Sequence, residues 1–174
     1  MENFSTDENI QSDEDIRRIV EQYADMLFRV AYSALRSRED AEDAVQEAFV
    51  RLLDIRPRFA SPGHEKAWLI RVTVNICRSR LRLASRRDIP LELYPEQPDG
   101  NMSANTYDGS GVLEAVLSLP EKYSSVLHLY YFEDQPIREI ARTLRIPAAT
   151  VGTRLARGRE LLRKRLTEGG GKYD

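Results

Sequence analysis

The stretch IREIARTLRIPAATVGTRLARGRELLRKRL, residues 137–166, decides the fold class, because two helical patterns follow each other with only a short break between them. In the first pattern, apolar residues recur with helical spacing at Ile137, Ile140, Ala141 and Leu144. Pro147 cannot continue this helix but can open a second one. The stretch therefore predicts a helix-turn-helix, a motif that can place its second helix in the major groove of DNA.

The predicted second helix, residues 148–166, has an apolar side and a basic side. At about 100° per residue, the apolar side faces the first helix and the core with Val151, Leu155, Leu162 and Leu166. The far side carries Thr150, Thr153, Arg154 and Arg157 near the N-terminal end, with Arg159 and Arg163 on a flank. Arginine can bind guanine and threonine can contact thymine, so the far side is a candidate for base contacts and the flank for phosphates. The alternative is a surface helix kept soluble by its arginines.

Charge is strongly zoned along this chain of 174 residues, although the formal net charge is only −2. Residues 1–15 carry six acids and no base, residues 64–87 sum to +6, residues 88–118 carry six acids and no base, and residues 138–165 sum to +7. Two basic patches separated by an acidic spacer indicate two sites for a polyanion on two modules. Solvated helix faces, the alternative, would scatter the signs.

Composition limits the class of protein. Apolar residues make up 41% of the chain and charged residues 31%, which is typical of a folded soluble protein. Cys77 is the only cysteine, so no internal disulfide can form and a reducing compartment is indicated. The polar N-terminus does not resemble a signal peptide, and no segment reaches the roughly 18 apolar residues of a membrane span. We therefore expect a cytoplasmic protein with no membrane insertion.

Two amphipathic helices are predicted at the N-terminus. The first, from Asp13 to Arg36, has apolar residues at Ile16, Ile19, Val20, Tyr23, Leu27, Val30, Ala31 and Ala34. The second, from Arg38 to Asp54, is capped by Ser37. Its buried stripe contains Ala41, Ala44, Val45, Ala48, Phe49 and Leu52. Residues 55–66 hold two prolines and a glycine and are predicted to form a loop.

Further helices are predicted over about 65–85, 111–118, 120–132, 136–144 and 148–166. Residues 88–110 contain three prolines, two glycines and no basic residue, which is typical of a tether between domains. No strand-like alternation of useful length is present. The sequence therefore predicts an all-α protein with two small helical domains joined by a flexible acidic linker, the C-terminal domain being a helix-turn-helix.

The segment from Leu119 to Leu166 resembles the C-terminal promoter-binding domain of bacterial RNA polymerase sigma factors. The landmarks are Leu119-Pro120, Glu139-Ile140-Ala141 and Thr150-Val151, followed by spaced arginines. The resemblance implies recognition of the −35 promoter element by Thr150, Thr153, Arg154, Arg157 and Arg159. Two departures concern this readout: Arg145 stands where the turn usually has glycine, and Gly152 stands where the family usually has lysine.

The segment DAEDAVQEAFVRLL, residues 40–53, resembles the sigma-factor helix that docks on the clamp of RNA polymerase. The side chains that this resemblance assigns to polymerase binding are Glu39, Glu42, Asp43, Gln46 and Glu47. Glu39, Asp43 and Glu47 form a carboxylate ladder at i, i+4 spacing. Like charges at this spacing destabilise a helix, and a basic partner would relieve the repulsion. The alternatives are a solvated acidic face and a metal site, although the ladder contains no histidine and His64 and His128 lie elsewhere.

The segment AWLIRVTVNICRSRLRLASRR, residues 67–87, resembles the sigma-factor helix that reads and helps to open the −10 element. Its periodicity predicts a buried face with Ala67, Ile70, Val74, Cys77 and Leu81. A separate stripe contains Trp68, Arg71, Asn75, Arg78 and Arg82. Aromatic and arginine planes can stack on unpaired bases while the charges hold phosphates. For Trp68 the alternative is a place in the core, and Ser79 stands where many family members have aspartate.

The resemblance covers about residues 13–166 and leaves no third domain between the two modules, as in the extracytoplasmic-function subfamily of the sigma-70 family. It implies a polymerase-docking and −10-binding domain over residues 13–87, a linker over 88–110 and a −35-binding domain over 111–168. The implied partners are core RNA polymerase, promoter DNA and an anti-sigma protein. No cofactor or metal is implied, and no catalysis by the chain itself.

Two other functions remain compatible with the residues alone. A stand-alone helix-turn-helix regulator would bind duplex DNA without polymerase, and would need neither the acidic ladder nor the Trp/Arg stripe. An enzyme of nucleic-acid metabolism would use the ladder to hold a metal ion. Co-purification with core polymerase separates the first function from that of a sigma factor, and dependence on metal identifies the second.

Overall fold

The computed structural model describes residues 12–86 and 111–169, and all regular secondary structure in these two parts is helical. The helices are α1 (Asp13–Leu35), α2 (Arg38–Ile55), α3 (Pro62–Arg86), α4 (Gly111–Leu117), α5 (Glu121–Leu127), α6 (Ile137–Leu144) and α7 (Ala148–Gly169). In these parts no helix is both long and apolar enough to cross a membrane. The predicted all-α class is confirmed, with α1–α3 forming an N-terminal domain and α4–α7 a C-terminal domain. The predicted linker, residues 88–110, lies outside the described residues.

The first two helices begin at serine caps. Ser12 and Asp15 form a capping box at α1, in which the Ser12 hydroxyl accepts from the Asp15 backbone N–H at 3.1 Å. The Asp15 carboxylate in turn accepts from the Ser12 backbone N–H at 3.1 Å. Ser37 caps α2 as predicted, and its hydroxyl accepts from the Asp40 backbone N–H at 3.3 Å.

Three helices end at an arginine whose backbone is left-handed, a conformation that favours glycine. The φ angles are 56° at Arg36, 45° at Arg56 and 56° at Arg145, which follow α1, α2 and α6. A left-handed residue with a Cβ costs about 1–2 kcal/mol. The helix-turn-helix therefore keeps a left-handed turn at Arg145 and carries the strain that a glycine would avoid.

The third helix begins earlier than the sequence predicted. Pro62 opens α3, because the fixed φ of proline suits the first helical position. The Ser61 hydroxyl supports this start by accepting from the His64 backbone N–H at 3.1 Å. The predicted loop over residues 55–66 is therefore wrong at both ends, and only residues 56–61 connect α2 to α3.

The N-terminal domain is a three-helix bundle, and its core follows the predicted stripes. The stripe of α2 is buried at Ala41, Ala44, Val45, Ala48 and Leu52, with Phe49 partly buried. Of the apolar residues predicted on α1, only Val20 and Ala34 are partly rather than fully buried. Helical periodicity alone therefore identified the side of each helix that faces the core.

Helix α3 is buried over a wider arc than its sequence predicted. The predicted face is confirmed at Ala67, Ile70, Val74 and Cys77, with Leu81 partly buried. Leu69, Thr73 and Ile76 are buried as well. They lie in line with Arg80, whose guanidinium pairs with Glu47 of α2 at 3.3 Å. The additional arc is therefore the side of α3 that faces α2.

In the C-terminal domain, α5 continues into a π-helical turn, His128–Phe132, before the chain turns into α6. On α7, Val151 and Leu155 are buried as predicted and Leu162 is partly buried. Leu166 is 43% exposed, so its predicted place in the core is wrong, because it lines an open groove near the end of α7. On α6, the predicted apolar side is buried at Ile140 and Leu144, partly buried at Ala141 and exposed at Ile137.

The two domains pack against each other, with α3 against α6 and α1 against α5 and the π-helical turn. Arg36 contributes to this contact by donating to the Leu119 carbonyl at 3.1 Å and to the Ser124 hydroxyl at 3.2 Å. Burial lowers the pKa of Arg36. The sequence predicted two tethered modules without this contact.

Two glycines of α7 generate a prediction because their surroundings differ. A Cβ at Gly152 would meet no atom within 4 Å, whereas a Cβ at Gly158 would lie 3.0 Å from Cδ1 of the fully buried Leu127. Gly152→Ala is expected to raise the free energy of unfolding by about 0.5–1 kcal/mol, because alanine is the better helix former. Gly158→Ala is expected to lower it, because α5 and α7 must move apart. Urea unfolding of both variants tests this, and equal gains at the two positions would contradict it.

Candidate nucleic-acid and protein interfaces

The predicted base-contacting side chains lie together on the outer side of α7, in its N-terminal half. Thr153 and Arg157 are exposed, and Thr150 and Arg154 are half-buried. Arg157 pairs with Glu160 at 2.8 Å, and this hydrogen bond raises the pKa of Arg157. The surface combines hydroxyl groups with permanent positive charge, which suits contact with base edges and phosphates.

Arg159 is directed to the flank of α7, away from this surface. Its Nε donates to the Tyr131 hydroxyl at 2.7 Å, and the guanidinium lies 5.7 Å from the centroid of the Tyr131 ring. Both residues border an apolar groove of about 550 Å³. The aliphatic and aromatic walls of the groove include Val112, Val116, Phe132, Leu162 and Leu166. The sequence did not predict this groove, because its leucines follow the same period as the core residues of α7.

The stripe on α3 begins with Trp68, which is half-buried. Its ring packs edge-on against Phe59, with 5.7 Å between the ring centroids, and Phe59 packs edge-on against His64 at 5.6 Å. These contacts hold the indole at the edge of the domain, where part of it stays accessible. Further along the stripe, Asn75 is half-buried and Arg82 is exposed.

The other two arginines of the stripe contact the C-terminal domain. Arg71 donates from Nη2 to Oε2 of Glu139 at 3.2 Å, and Arg78 donates from Nη1 to the backbone carbonyl of Leu144. Burial lowers the pKa of Arg78. The structure therefore brings the predicted stripe together on one side of α3, but two of its cations are engaged by α6.

The side chains of α2 that were assigned to polymerase lie on the outside of the N-terminal domain, where Glu39, Glu42, Asp43 and Gln46 are exposed and Glu47 is half-buried. The closest ion pairs are Glu42 with Arg38 at 3.0 Å, and Glu47 with Arg51 at 2.8 Å and with Arg80 at 3.3 Å. Asp43 lies 4.0 Å from Arg80. Arginines of the same domain thus relieve part of the repulsion that the sequence alone attributed to a partner. Within the described residues, no three His, Cys, Asp or Glu side chains are grouped as metal ligands would be.

Apolar side chains beside these acids were not predicted to be functional. Val50 is 53% exposed and Leu53 is 46% exposed. They follow Asp43 and Gln46 at helical spacing, on the side of α2 opposite the core. The sequence alone could have identified Val50 and Leu53 as exposed, because neither residue falls on the buried stripe of α2. Adjacent exposed aliphatic side chains are typical of a protein-binding surface.

A buried charged cluster joins the two domains. Glu133, only 2% exposed, lies with Oε1 at 3.1 Å from Nε2 of His128 and at 3.5 Å from Nε of Arg29. Its Oε2 lies 4.0 Å from Nζ of Lys66. Arg29 belongs to α1 and Lys66 to α3, so one carboxylate of the C-terminal domain faces cations of two N-terminal helices. The sequence contained no local motif for this cluster, because Arg29 and Lys66 are brought to Glu133 only by the contact between domains.

Family models match both domains of the chain. The model for Sigma-70 region 2 matches residues 19–87, which include most of α1 and all of α2 and α3. The model for Sigma-70 region 4 matches residues 111–162, which include α4, α5, α6 and most of α7.

Individual proteins show the same similarity. The ECF RNA polymerase sigma factor SigW of Bacillus subtilis is 32% identical over 171 residues, covering 86% of this chain and 88% of SigW. The ECF RNA polymerase sigma factor SigE of Mycolicibacterium smegmatis is 32% identical over 159 residues, covering 86% of this chain and 61% of SigE. The solved structure of the sigma factor RpoE in complex with the anti-sigma factor NepR from Bartonella quintana matches with a TM-score of 0.68 and 19% identity. That match covers 88% of this chain and 98% of RpoE, and shows a common fold.

The cluster around Glu133 generates a prediction about stability. Glu133→Gln keeps the shape of the side chain but removes the charge that faces Arg29 and Lys66. We expect the free energy of unfolding to fall by about 1–3 kcal/mol, because hydrogen bonds to a charged buried group are lost. Glu160→Gln, which removes an exposed ion pair within α7, is the control and should change stability little. Equal effects of the two substitutions on the free energy of unfolding in urea would contradict a stabilising role of the buried Glu133 charge.

Proposed function

This chain belongs to the extracytoplasmic-function (ECF) RNA polymerase sigma factors, and we propose that it directs promoter-specific initiation through three surfaces, one each on α2, α3 and α7. The observation that carries the proposal is the presence of a basic helix surface on each domain, with an acidic and apolar surface on the N-terminal domain. Two separate basic surfaces suit one long polyanion, and the acidic surface suits a basic protein.

The surface on α7 reads the −35 element in this proposal. Thr150, Thr153, Arg154 and Arg157 enter the major groove, where arginine addresses guanine and threonine contacts thymine or a polar edge. Support comes from the exposure of this half of α7 and from the burial of Val151 and Leu155 on its other side. Arg159 and Arg163 would bind phosphates, Arg159 after release from Tyr131.

The stripe on α3 binds the −10 element and assists strand opening. Trp68 offers an accessible aromatic edge for an unstacked base, and Asn75 offers an amide for hydrogen bonds. Arg71, Arg78 and Arg82 would hold the phosphates on both sides of that base. A stripe that needed only to neutralise phosphates would contain only cations.

The surface on α2 docks on core polymerase. Glu39, Glu42, Asp43, Gln46 and Glu47 would face basic residues of the clamp. Val50 and Leu53 would lie beside them and supply apolar contact area. In the docked complex, cations of the partner would add to Arg38, Arg51 and Arg80 around the carboxylates.

The chemistry of RNA synthesis would remain with the polymerase, and this chain would supply specificity without catalysis, a cofactor or a metal ion. It would act in the cytoplasm, where core polymerase and the promoter are found.

We also infer an anti-sigma protein as a partner. RpoE, which shares this fold, was solved in complex with one. A partner that binds both DNA-contacting domains could hold them in an arrangement that cannot span a promoter. Such a partner would control whether the chain starts transcription. A pull-down from the native cell that recovers polymerase but no such partner would count against it.

Reconstitution tests the proposed function as a whole. Addition of the purified chain to core RNA polymerase is expected to produce transcripts with defined 5′ ends from a subset of promoters in a genomic template. Core polymerase alone and the chain alone are the controls. Binding of the chain to duplex DNA with no effect on start sites would instead identify a stand-alone regulator.

Substitutions on α7 test the −35 assignment. Arg154→Ala and Arg157→Ala should each lower affinity for the preferred −35 sequence by about 1–3 kcal/mol and relax specificity at one base pair. Arg163→Ala should weaken binding to all sequences alike, because it removes only a phosphate contact. Binding to a library of −35 variants measures both effects. If all three variants lose the same affinity for every −35 sequence, the assignment of this surface is wrong.

Charge reversal on α2 tests the polymerase surface. Asp43→Arg, and Asp43→Arg combined with Glu47→Arg, should reduce affinity for core polymerase by about tenfold or more, because cation then faces cation. Asp25→Arg, an exposed reversal on α1, is the matched control. Circular dichroism checks that the helices persist. Unchanged core affinity with Asp43→Arg would mean that the ladder is only a solvated face.

Substitution of Trp68 and Asn75 tests the role of α3 in strand opening. Stacking contributes about 1–3 kcal/mol per base and is available only after a base leaves the duplex. Trp68→Ala and Asn75→Ala should therefore slow opening more than they weaken the closed complex, whereas Arg82→Ala should weaken both, increasingly at high salt. Permanganate footprinting on duplex and pre-melted promoters separates the steps. An equal defect of Trp68→Ala on both templates would assign Trp68 to the core.

A further inference from the structure

Arginines of both domains gather where α3 meets the end of α6. Arg78 of α3 donates to the backbone carbonyl of Leu144, the last residue of α6. Arg145 is the next residue along the chain, so its exposed side chain begins beside the Arg78 guanidinium. Arg82 is exposed one helical turn after Arg78, on the same side of α3. The contact between the two helices therefore gathers cations that are far apart in the sequence.

Another arginine, Arg154 of α7, borders this group. Burial lowers the pKa of Arg78, and the positive charges of Arg145, Arg154 and Arg82 lower it further. A charge affects the pKa of a neighbour in this way only at short distance, because solvent screens charges that lie further apart. We call Arg78, Arg82, Arg145 and Arg154 the junction arginines, because they border the contact between the two domains.

Little negative charge balances the junction arginines. Within the described residues, the arginines of α3 and α7 that form ion pairs with carboxylates are Arg71, Arg80 and Arg157, and none of them belongs to this group. Glu121 is the acid that raises the pKa of Arg78, and one of its oxygens accepts from the Ser125 hydroxyl at 2.9 Å. The junction therefore keeps an excess of positive charge.

Arg145 occupies its position at a cost to stability. Its φ of 56° lies in the left-handed region, where glycine has no Cβ to strain the backbone. Its charge also faces other cations, which repel it. Strain that persists in a structure points to a function. An anion from outside the chain would give this arginine its partner and would remove the repulsion.

The chemistry of the junction arginines selects phosphate as the anion. A guanidinium group presents a planar fork of donors that matches two phosphate oxygens. Arg78 uses one of its donors on the Leu144 carbonyl and keeps others free. Because the four side chains come from α3, α7 and the turn between α6 and α7, their ligand must offer oxygens in several directions. A short chain of linked phosphates does so and carries several negative charges.

We propose that the junction arginines form a binding site for a small oligophosphate, either inorganic or the phosphate chain of a nucleotide, and that Arg145 completes this site. The bound anion accepts hydrogen bonds from both domains and therefore strengthens the contact between α3 and the C-terminal domain. The site goes beyond the proposed function, because it requires neither polymerase nor promoter DNA. It also gives a role to Arg145, which belongs to none of the three proposed surfaces.

Isothermal titration of the free full-length chain with inorganic tripolyphosphate measures binding directly. The wild type should bind with a Kd below about 0.1 mM. Arg145→Gly should weaken binding at least about tenfold, whereas Arg145→Lys, which keeps the charge, should stay within about threefold of the wild type. Lys164→Ala removes a charge from the exposed end of α7 and is the control. No binding by the wild type, or an equal loss in Lys164→Ala, would overturn the proposal.

Thermal unfolding separates a binding site from a general effect of salt. In sodium chloride, Arg145→Gly should raise the Tm, because both the backbone strain and the repulsion are relieved. In tripolyphosphate at the same ionic strength, the Tm of the wild type should rise by at least about 3 °C, because the ligand binds only the folded chain. Arg145→Gly should gain less than half of this shift. Equal gains in the two proteins would contradict a specific site.

Two further ligands identify the source of the phosphates. Inorganic monophosphate should bind the wild type at least about tenfold more weakly than tripolyphosphate, because it reaches fewer of the junction arginines. A thymidine oligonucleotide of about ten residues should lose less than about threefold in affinity when Arg145 is replaced by glycine, because its sugars and bases keep its phosphates out of the junction. If only the oligonucleotide depends on Arg145, the residue binds nucleic acid and the proposal is wrong.

Discussion

The structure depends on the division of α3 into a face that must be buried and an edge that must stay polar. Ile70 and Cys77 are fully buried against the N-terminal bundle, which fixes the rotation of the helix. That rotation places Trp68, Arg71 and Arg78 along one side of the domain. Because guanidinium groups are not deprotonated in proteins, each arginine on this edge must find an acceptor or water. The acceptors of Arg71 and Arg78 lie on α6, so this edge of the N-terminal domain contacts the C-terminal domain.

The arginines of α3 have different partners, and these partners connect α3 to both α2 and α6. Arg80 points to α2 and pairs with Glu47, so it supports the acidic surface proposed for polymerase. Arg71 and Arg78 point to α6. One rigid helix therefore lies between the proposed polymerase contact and the proposed DNA contact.

Sequence patterns predicted the helices and their buried faces, because apolar residues on the buried side of a helix recur with a period of about 3.6 residues. The stripe of α2 and the serine cap at Ser37 are local features, and the structure confirms them. The start of α3 was predicted too late, because Pro62 and Gly63 are equally compatible with a loop and with a first helical turn. Leu166 was placed in the core because its period continues that of Leu155 and Leu162, although the groove beside it is open.

Contacts between distant parts of the chain could not be predicted in this way. The pairing of Arg71 with Glu139 joins residues that are 68 positions apart, and each of them alone resembles an ordinary exposed charge. Glu133 follows an aromatic stretch in the sequence and precedes Asp134 and Gln135, and only the packed domains show that it faces two cations. The residues of the three proposed surfaces were found from local patterns and a family resemblance, whereas the partners of Arg71 and Arg78 are seen only in the contact between α3 and α6.

A photo-crosslinking side chain at Ser79, one turn beyond Asn75 on α3, tests the proposed role of this helix most directly. The variant is assembled with core polymerase on a promoter identified with the wild-type chain, and the same probe at the exposed Asp25 of α1 is the control. The account predicts cross-links from Ser79 to bases of the −10 element and none from Asp25. Cross-links from Ser79 only to other parts of the promoter, or none to DNA, would contradict the account.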